Sequence, residues 1–72
     1  MSQIPVLKPK ELIRALERAG FLFVRQRGSH RVFTKEDMVV TVPYHSRDMR
    51  VGTLKSILRY ARLTAEDLLR LL

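Results

Sequence analysis

The segment Arg25-Gln26-Arg27-Gly28-Ser29-His30-Arg31 places an imidazole, a hydroxyl and a glycine inside a cluster of three arginines. Guanidinium groups hold phosphate oxygens through paired hydrogen bonds, and a glycine lets a phosphate approach the backbone closely. An imidazole gives or takes a proton near neutral pH. These are parts for metal-free RNA cleavage, in which a base takes the 2′-hydroxyl proton, an acid protonates the departing oxygen and cations surround the phosphorane. The 2′-hydroxyl is itself the nucleophile, so the protein need supply none. His30 is the candidate proton-transfer residue, and Arg25, Arg27, Gly28, Ser29 and Arg31 are candidates for holding RNA. Ser29 reads as a turn hydroxyl or phosphate donor, because no Asp or Glu beside a histidine completes a nucleophilic triad in sequence. His45 has two readings: a second site residue close to His30, if the flanking strands pair as a hairpin, or a loop histidine that caps the following turn.

The rest of the composition narrows the class. With 14 Lys and Arg against 7 Asp and Glu, the 72-residue chain carries a formal charge of +7, an excess that attracts polyanions, nucleic acid first. The length suits one domain, residues 1–72, with one modest core and no large substrate cavity. There is no cysteine, hence no disulfide, thiolate nucleophile or cysteine zinc site, and two histidines make a poor metal site. We expect no metal and no cofactor. No apolar run approaches the ~20 residues of a spanning helix and no signal sequence is evident, so a soluble cytoplasmic protein away from membranes is expected.

Local patterns supply the elements that must position His30. Pro9 suits a first helical turn, Leu12, Ile13, Leu16 and Ala19 recur at helical spacing, and Gly20 suits the left-handed position that ends a helix. The branched and aromatic run from Phe21 to Arg27 reads as a strand broken by Gly28-Ser29, with a second strand from His30 to Thr34. Lys35-Glu36-Asp37 is a polar turn, and Met38 to Val42 a third strand that Pro43 ends. Leu54, Ile57, Leu58 and Ala61 define a second amphipathic helix from Gly52 to about Tyr60. Thr64 caps a third, with Glu66 and Asp67 at its positive end and a run of leucines after. The order α-β-β-β-α-α implies an α+β two-layer sandwich, a three-stranded antiparallel sheet with helices on one face.

In order, spacing and length, the chain from Leu7 onward resembles the HicA toxin family. The resemblance rests on Lys10-Glu11-Leu12 with Leu16 and Gly20-Phe21, on Arg27-Gly28-Ser29-His30-Arg31-Val32-Phe33, and on Thr41-Val42-Pro43 with His45-Ser46. It continues through Gly52-Thr53-Leu54-Lys55-Ser56-Ile57-Leu58 and Leu63-Thr64. It implies a fold similar to double-stranded-RNA-binding domains, a messenger-RNA interferase whose catalytic histidine matches His30, and neutralisation by a HicB-type antitoxin that covers the His30 site. One departure is Arg62, where such sequences commonly carry glycine. It puts in doubt how sharply the last two helices separate, since a left-handed non-glycine residue costs energy.

Lys10, Arg14 and Arg18 line one helix face, either to meet RNA phosphates or as a solvated face softened by Glu11 and Glu17. Lys55, Arg59 and Arg62 form a comparable stripe on the second helix. Phe21, Phe23 and Phe33 are expected in the core, leaving Tyr44 as the aromatic for RNA contact, and Leu68 to Leu72 should cover the sheet or meet a partner. Two other functions fit the same residues: a non-catalytic RNA-binding module that only grips phosphates, and a regulatory subunit whose basic surface meets an acidic protein.

Overall fold

The computed structural model of the chain describes residues 4–72. It has the expected order: α1 (Pro9–Arg18), β1 (Leu22–Arg27), β2 (His30–Lys35), β3 (Met38–Pro43), α2 (Val51–Ala61) and α3 (Ala65–Leu71). Pro9 opens α1, and the Glu11 carboxylate accepts the Lys8 backbone N–H at 2.8 Å, satisfying a donor at the helix start. Gly20, at φ 103°, takes the positive-φ position that turns the chain out of the helix. Phe21 follows as a buried plug before the sheet rather than as the first residue of β1.

The strands form an antiparallel meander in the order β1-β2-β3. Side chains alternate across a sheet, so the register fixes what shares a face. One face carries Phe23 opposite Phe33 opposite Val40, then Gln26 opposite Arg31 opposite Val42. On this face Phe33, Val40 and Val42 are buried and join Leu12, Leu16, Leu54, Leu58 and Leu68 in one core under the helices. The other face is open and carries three cross-strand rows: Leu22-Thr34-Val39, Arg25-Val32-Thr41 and Arg27-His30-Pro43. A register shift between Phe23 and Arg25 inserts Val24 and brings both arginines onto that face.

The helices cover the sheet unevenly. α2 packs on β3, α1 touches β3, and α3 packs on α1. Thus the leucine-rich end packs chiefly on α1, with Leu68 fully buried in the core it shares with the sheet. β1 lies beyond this cover and is exposed throughout. Phe23 is accordingly not the core residue expected of it: it stays 53% exposed, with an edge-to-face contact to Phe33.

The junction of α2 and α3 also corrects an expectation. Arg62 itself adopts the left-handed conformation, φ 57° and ψ 39°, and the helices separate cleanly without glycine. The N–H groups of Arg62 and Leu63 donate to the Arg59 and Leu58 carbonyls, as in a glycine-terminated helix. The Arg62 guanidinium then swings to the Asp37 carboxylate, 3.3 Å away at the turn between β2 and β3, and so leaves the stripe begun by Lys55 and Arg59. At the start of α3, Thr64 and Asp67 cap each other through bonds of 2.9 and 3.1 Å. The Thr64 backbone N–H, with the Arg70 side chain next in weight, holds the Asp67 carboxyl below its usual range. Among the described residues no helix is long and apolar enough to cross a membrane.

Candidate functional site

The chemistry-bearing residues meet at one end of the sheet because the hairpin between β1 and β2 turns in only two residues, Gly28 and Ser29. Arg27 and His30 are the last pair of that ladder. Gly28 has φ 60° while Ser29 does not have positive φ, which is the pattern of a type II′ turn with glycine at its first central position. Gly28 is therefore demanded by the turn, whatever approaches it. A side chain added there would meet nothing within 4 Å, so the space in front of the turn is open.

His30 stands on the open face, exposed, between Arg27 and Pro43 in the register. Arg25 lies on the same face, one row further in. Neither Arg25 nor Arg27 meets a carboxylate among the described residues, so their charge is uncompensated and available to an anion. The His30 ring likewise has no hydrogen-bond partner among the described residues.

Alternation separates Arg31 from this group. It points to the helix side of the sheet, where its guanidinium lies 3.6 Å from the centre of the Tyr44 ring and its Nε donates to Gln26 Oε1 at 3.1 Å. Gln26 in turn donates from Nε2 to the Gly28 carbonyl at 2.9 Å, bracing the turn from behind. Arg31 is thus occupied in holding Tyr44 and the turn. Ser29 contributes through its backbone: its carbonyl accepts the Tyr44 N–H at 2.6 Å, which ties the loop after β3 to the hairpin turn.

That loop carries His45, whose Nδ1 accepts the Arg47 backbone N–H at 3.1 Å. The turn-capping role is therefore realised. With Nδ1 acting as acceptor, the proton of the neutral ring sits on Nε2, which is free to donate. His45 also lines a cleft of about 440 Å³ with Lys8, Lys10, Tyr44 and Ser46. Of the α1 stripe, Lys10 reaches this cleft and Arg14 is exposed outside it. Arg18 is engaged elsewhere, donating to the Leu71 carbonyl at 2.7 Å at the negative end of α3.

Sequence reasoning missed Lys8 and the cleft. Lys8 is separated from His45 by the whole sheet in sequence, and the two segments are brought together by the Met49 N–H to Leu7 carbonyl bond of 2.8 Å and the Lys8–Asp48 ion pair. No three His, Cys, Asp or Glu side chains among the described residues stand together as a metal-binding group. No curated protein matches the chain. A family model described as the HicA toxin of bacterial toxin–antitoxin systems matches it over residues 9–63, a span that contains the three strands, the hairpin turn, His30 and His45.

Proposed function

The chain belongs to the HicA toxin family, and from that premise we propose that it is a metal-independent endoribonuclease that cleaves messenger RNA in the cytoplasm. The observation that carries the reading is the cross-strand pairing of His30 with Arg27 beside an open turn, with Arg25 on the same face. The RNA 2′-oxygen attacks phosphorus while the bond to the 5′-oxygen breaks. The 2′-hydroxyl loses its proton, the departing 5′-oxygen gains one, and a 2′,3′-cyclic phosphate remains. His30 carries out one of these proton transfers, and Arg25 and Arg27 hold the charged phosphate oxygens as the phosphorane forms. Ser29 and Gly28 keep the approach to the phosphate open. Neutralisation follows if a HicB-type antitoxin covers the His30 end of the sheet, and such a partner should copurify on co-expression.

The test is cleavage of a labelled messenger-length RNA with EDTA present, comparing the native chain with His30→Ala after circular dichroism has shown both folded. Native cleavage that falls by about 10²-fold or more in the variant fits a general acid or base at His30. Equal cleavage by both removes His30 from the chemistry. A second reading, a non-catalytic RNA-binding module, is favoured by one feature: the His30 ring has no orienting partner among the described residues. It predicts RNA affinity in the native chain with the RNA left intact.

A further inference from the structure

The geometry points to the cleft between the loop after β3 and the start of α1 as a subsite for one unstacked nucleotide of a single-stranded RNA, with the His45 Nε2–H and the Lys10 ammonium on its phosphate and the Tyr44 ring against its base. The inference rests on the RNA-cleaving reading and adds to it the strand state of the substrate and the role of His45.

The size and lining of the cleft, and the way its walls are held, support it. The cleft, at about 440 Å³, lies in the range of pockets that enclose small ligands. Its lining joins cation donors, Lys8 and Lys10, to an aromatic ring and a hydroxyl, Tyr44 and Ser46. That combination is what single-stranded nucleic acid sites use: charge for the backbone and a ring for the base. Lys8 is partly shared with the Asp48 carboxylate at 3.9 Å, which leaves Lys10 as the cation without a carboxylate partner among the described residues.

The walls are also pre-set. Tyr44 is held by the Ser29 carbonyl through its N–H and by the Arg31 guanidinium on its ring. His45 is oriented by Arg47, and buried Met49 anchors the far end of the loop through its bond to Leu7. The Arg47 bond uses Nδ1, so His45 presents a fixed donor rather than a free lone pair. It is therefore suited to hold a phosphate oxygen and unsuited, in that tautomer, to take the 2′-hydroxyl proton. The Tyr44–Ser29 bond ties this cleft to the turn that carries His30, so a strand bound at the cleft passes around the end of the sheet to reach the face on which His30 stands.

A paired base cannot enter such a cleft, so single strands and duplexes should respond differently to its variants. The experiment measures binding of a short, uncleavable 2′-O-methyl RNA, single-stranded and as a duplex, by fluorescence anisotropy. His45→Asn keeps an acceptor where Nδ1 sits but loses the distal donor; His45→Gln keeps the distal donor and loses the acceptor. We expect His45→Asn to weaken single-strand binding roughly tenfold, the value of one hydrogen bond to a charged group, while His45→Gln stays near native. Lys10→Ala should lower the slope of log K against log salt by about 0.7 for the single strand. Neither change should alter duplex binding. Near-native binding by His45→Asn with loss in His45→Gln would overturn the inference in favour of a loop-capping role alone. Equal losses on duplex and single strand would overturn the unstacked nucleotide. If the cleft variants bind like the native chain while Arg27→Ala binds weakly, the subsite fails and the RNA-cleaving reading stands. If the native chain binds neither RNA, both fail.

Discussion

Replacing Gly28 with alanine tests whether the hairpin turn is what places His30. The added Cβ meets no atom within 4 Å, so the change is free of steric overlap and its cost is purely conformational. A residue other than glycine held in a glycine-only backbone region costs on the order of 1–3 kcal/mol. The lower entropy of the unfolded alanine chain offsets about 0.4–1 kcal/mol, leaving a net loss of about 1–2 kcal/mol. At roughly 4–8 °C per kcal/mol for a domain of this size, Tm should fall on the order of 10 °C. Asparagine separates the turn types: a type I′ turn accepts it in the left-handed region, whereas the first position of a type II′ turn does not. We therefore expect Gly28→Asn to lose about as much as Gly28→Ala in thermal unfolding followed by circular dichroism. A Gly28→Asn protein as stable as the native one, or a Gly28→Ala protein with unchanged Tm, would refute the argument from the positive φ of Gly28 alone. RNA cleavage measured well below both transitions should drop in both variants, because His30 and Arg27 flank the turn directly.

Two further outcomes follow from the charges. Arg25 and Arg27 have no carboxylate partners among the described residues, so Arg25→Gln and Arg27→Gln should each reduce the salt slope of single-strand RNA binding by roughly 0.7 and leave Tm unchanged; a loss of stability without a change in slope would mean the side chains serve the sheet. The Asp67 carboxyl is held below its ordinary value of 3.8, first by the Thr64 backbone N–H and then by Arg70. Its folded-state pKa is depressed, so the stabilisation is present above pH 3.8 and is lost as pH falls through the folded value; Asp67→Asn should flatten the acid limb of the unfolding curve.

The elements were legible wherever a local rule and the packing agree. Pro9 and Gly20 bracket α1 because each satisfies a demand of the backbone at that position, and Thr64 with Asp67 starts α3 for the same reason. β1 was legible as a strand but not in its environment. Its branched and aromatic residues look half-buried by composition, yet Phe23, on the helix side, is 53% exposed because α2 rests on β3 and α3 is spent on α1. Which strand the helices cover is decided by chain connections and helix–helix packing, and no pattern within Leu22–Arg27 encodes it. Arg62 failed differently. Propensity disfavours it in the left-handed region, but the helix-closing bonds to Arg59 and Leu58 and the ion pair with Asp37 oppose that cost, and Asp37 is far from it in sequence.

The site shows why closeness in sequence is a poor guide to closeness in function along a strand. Arg27, His30 and Arg31 lie within five consecutive positions, yet the two-residue turn puts Arg27 across from His30, while the pleat sends Arg31 through to the other side. Arg31 there stacks on Tyr44 and, through Gln26, reaches the carbonyl of Gly28. The arginine cluster thus divides into two that face outward beside His30 and one that stiffens the turn and the loop from behind. Each arginine consequently has a different expected phenotype. Loss of an outward arginine removes charge from the open face, whereas loss of Arg31 frees Tyr44 and loosens the loop that holds His45. The signature of the second is reduced protection of the Tyr44 amide in hydrogen exchange, because that N–H is the bond joining the loop to Ser29. Arg31→Ala should show it and Arg27→Ala should not; equal Tyr44 protection in both variants would mean that the stack on Tyr44 contributes nothing to the order of the site.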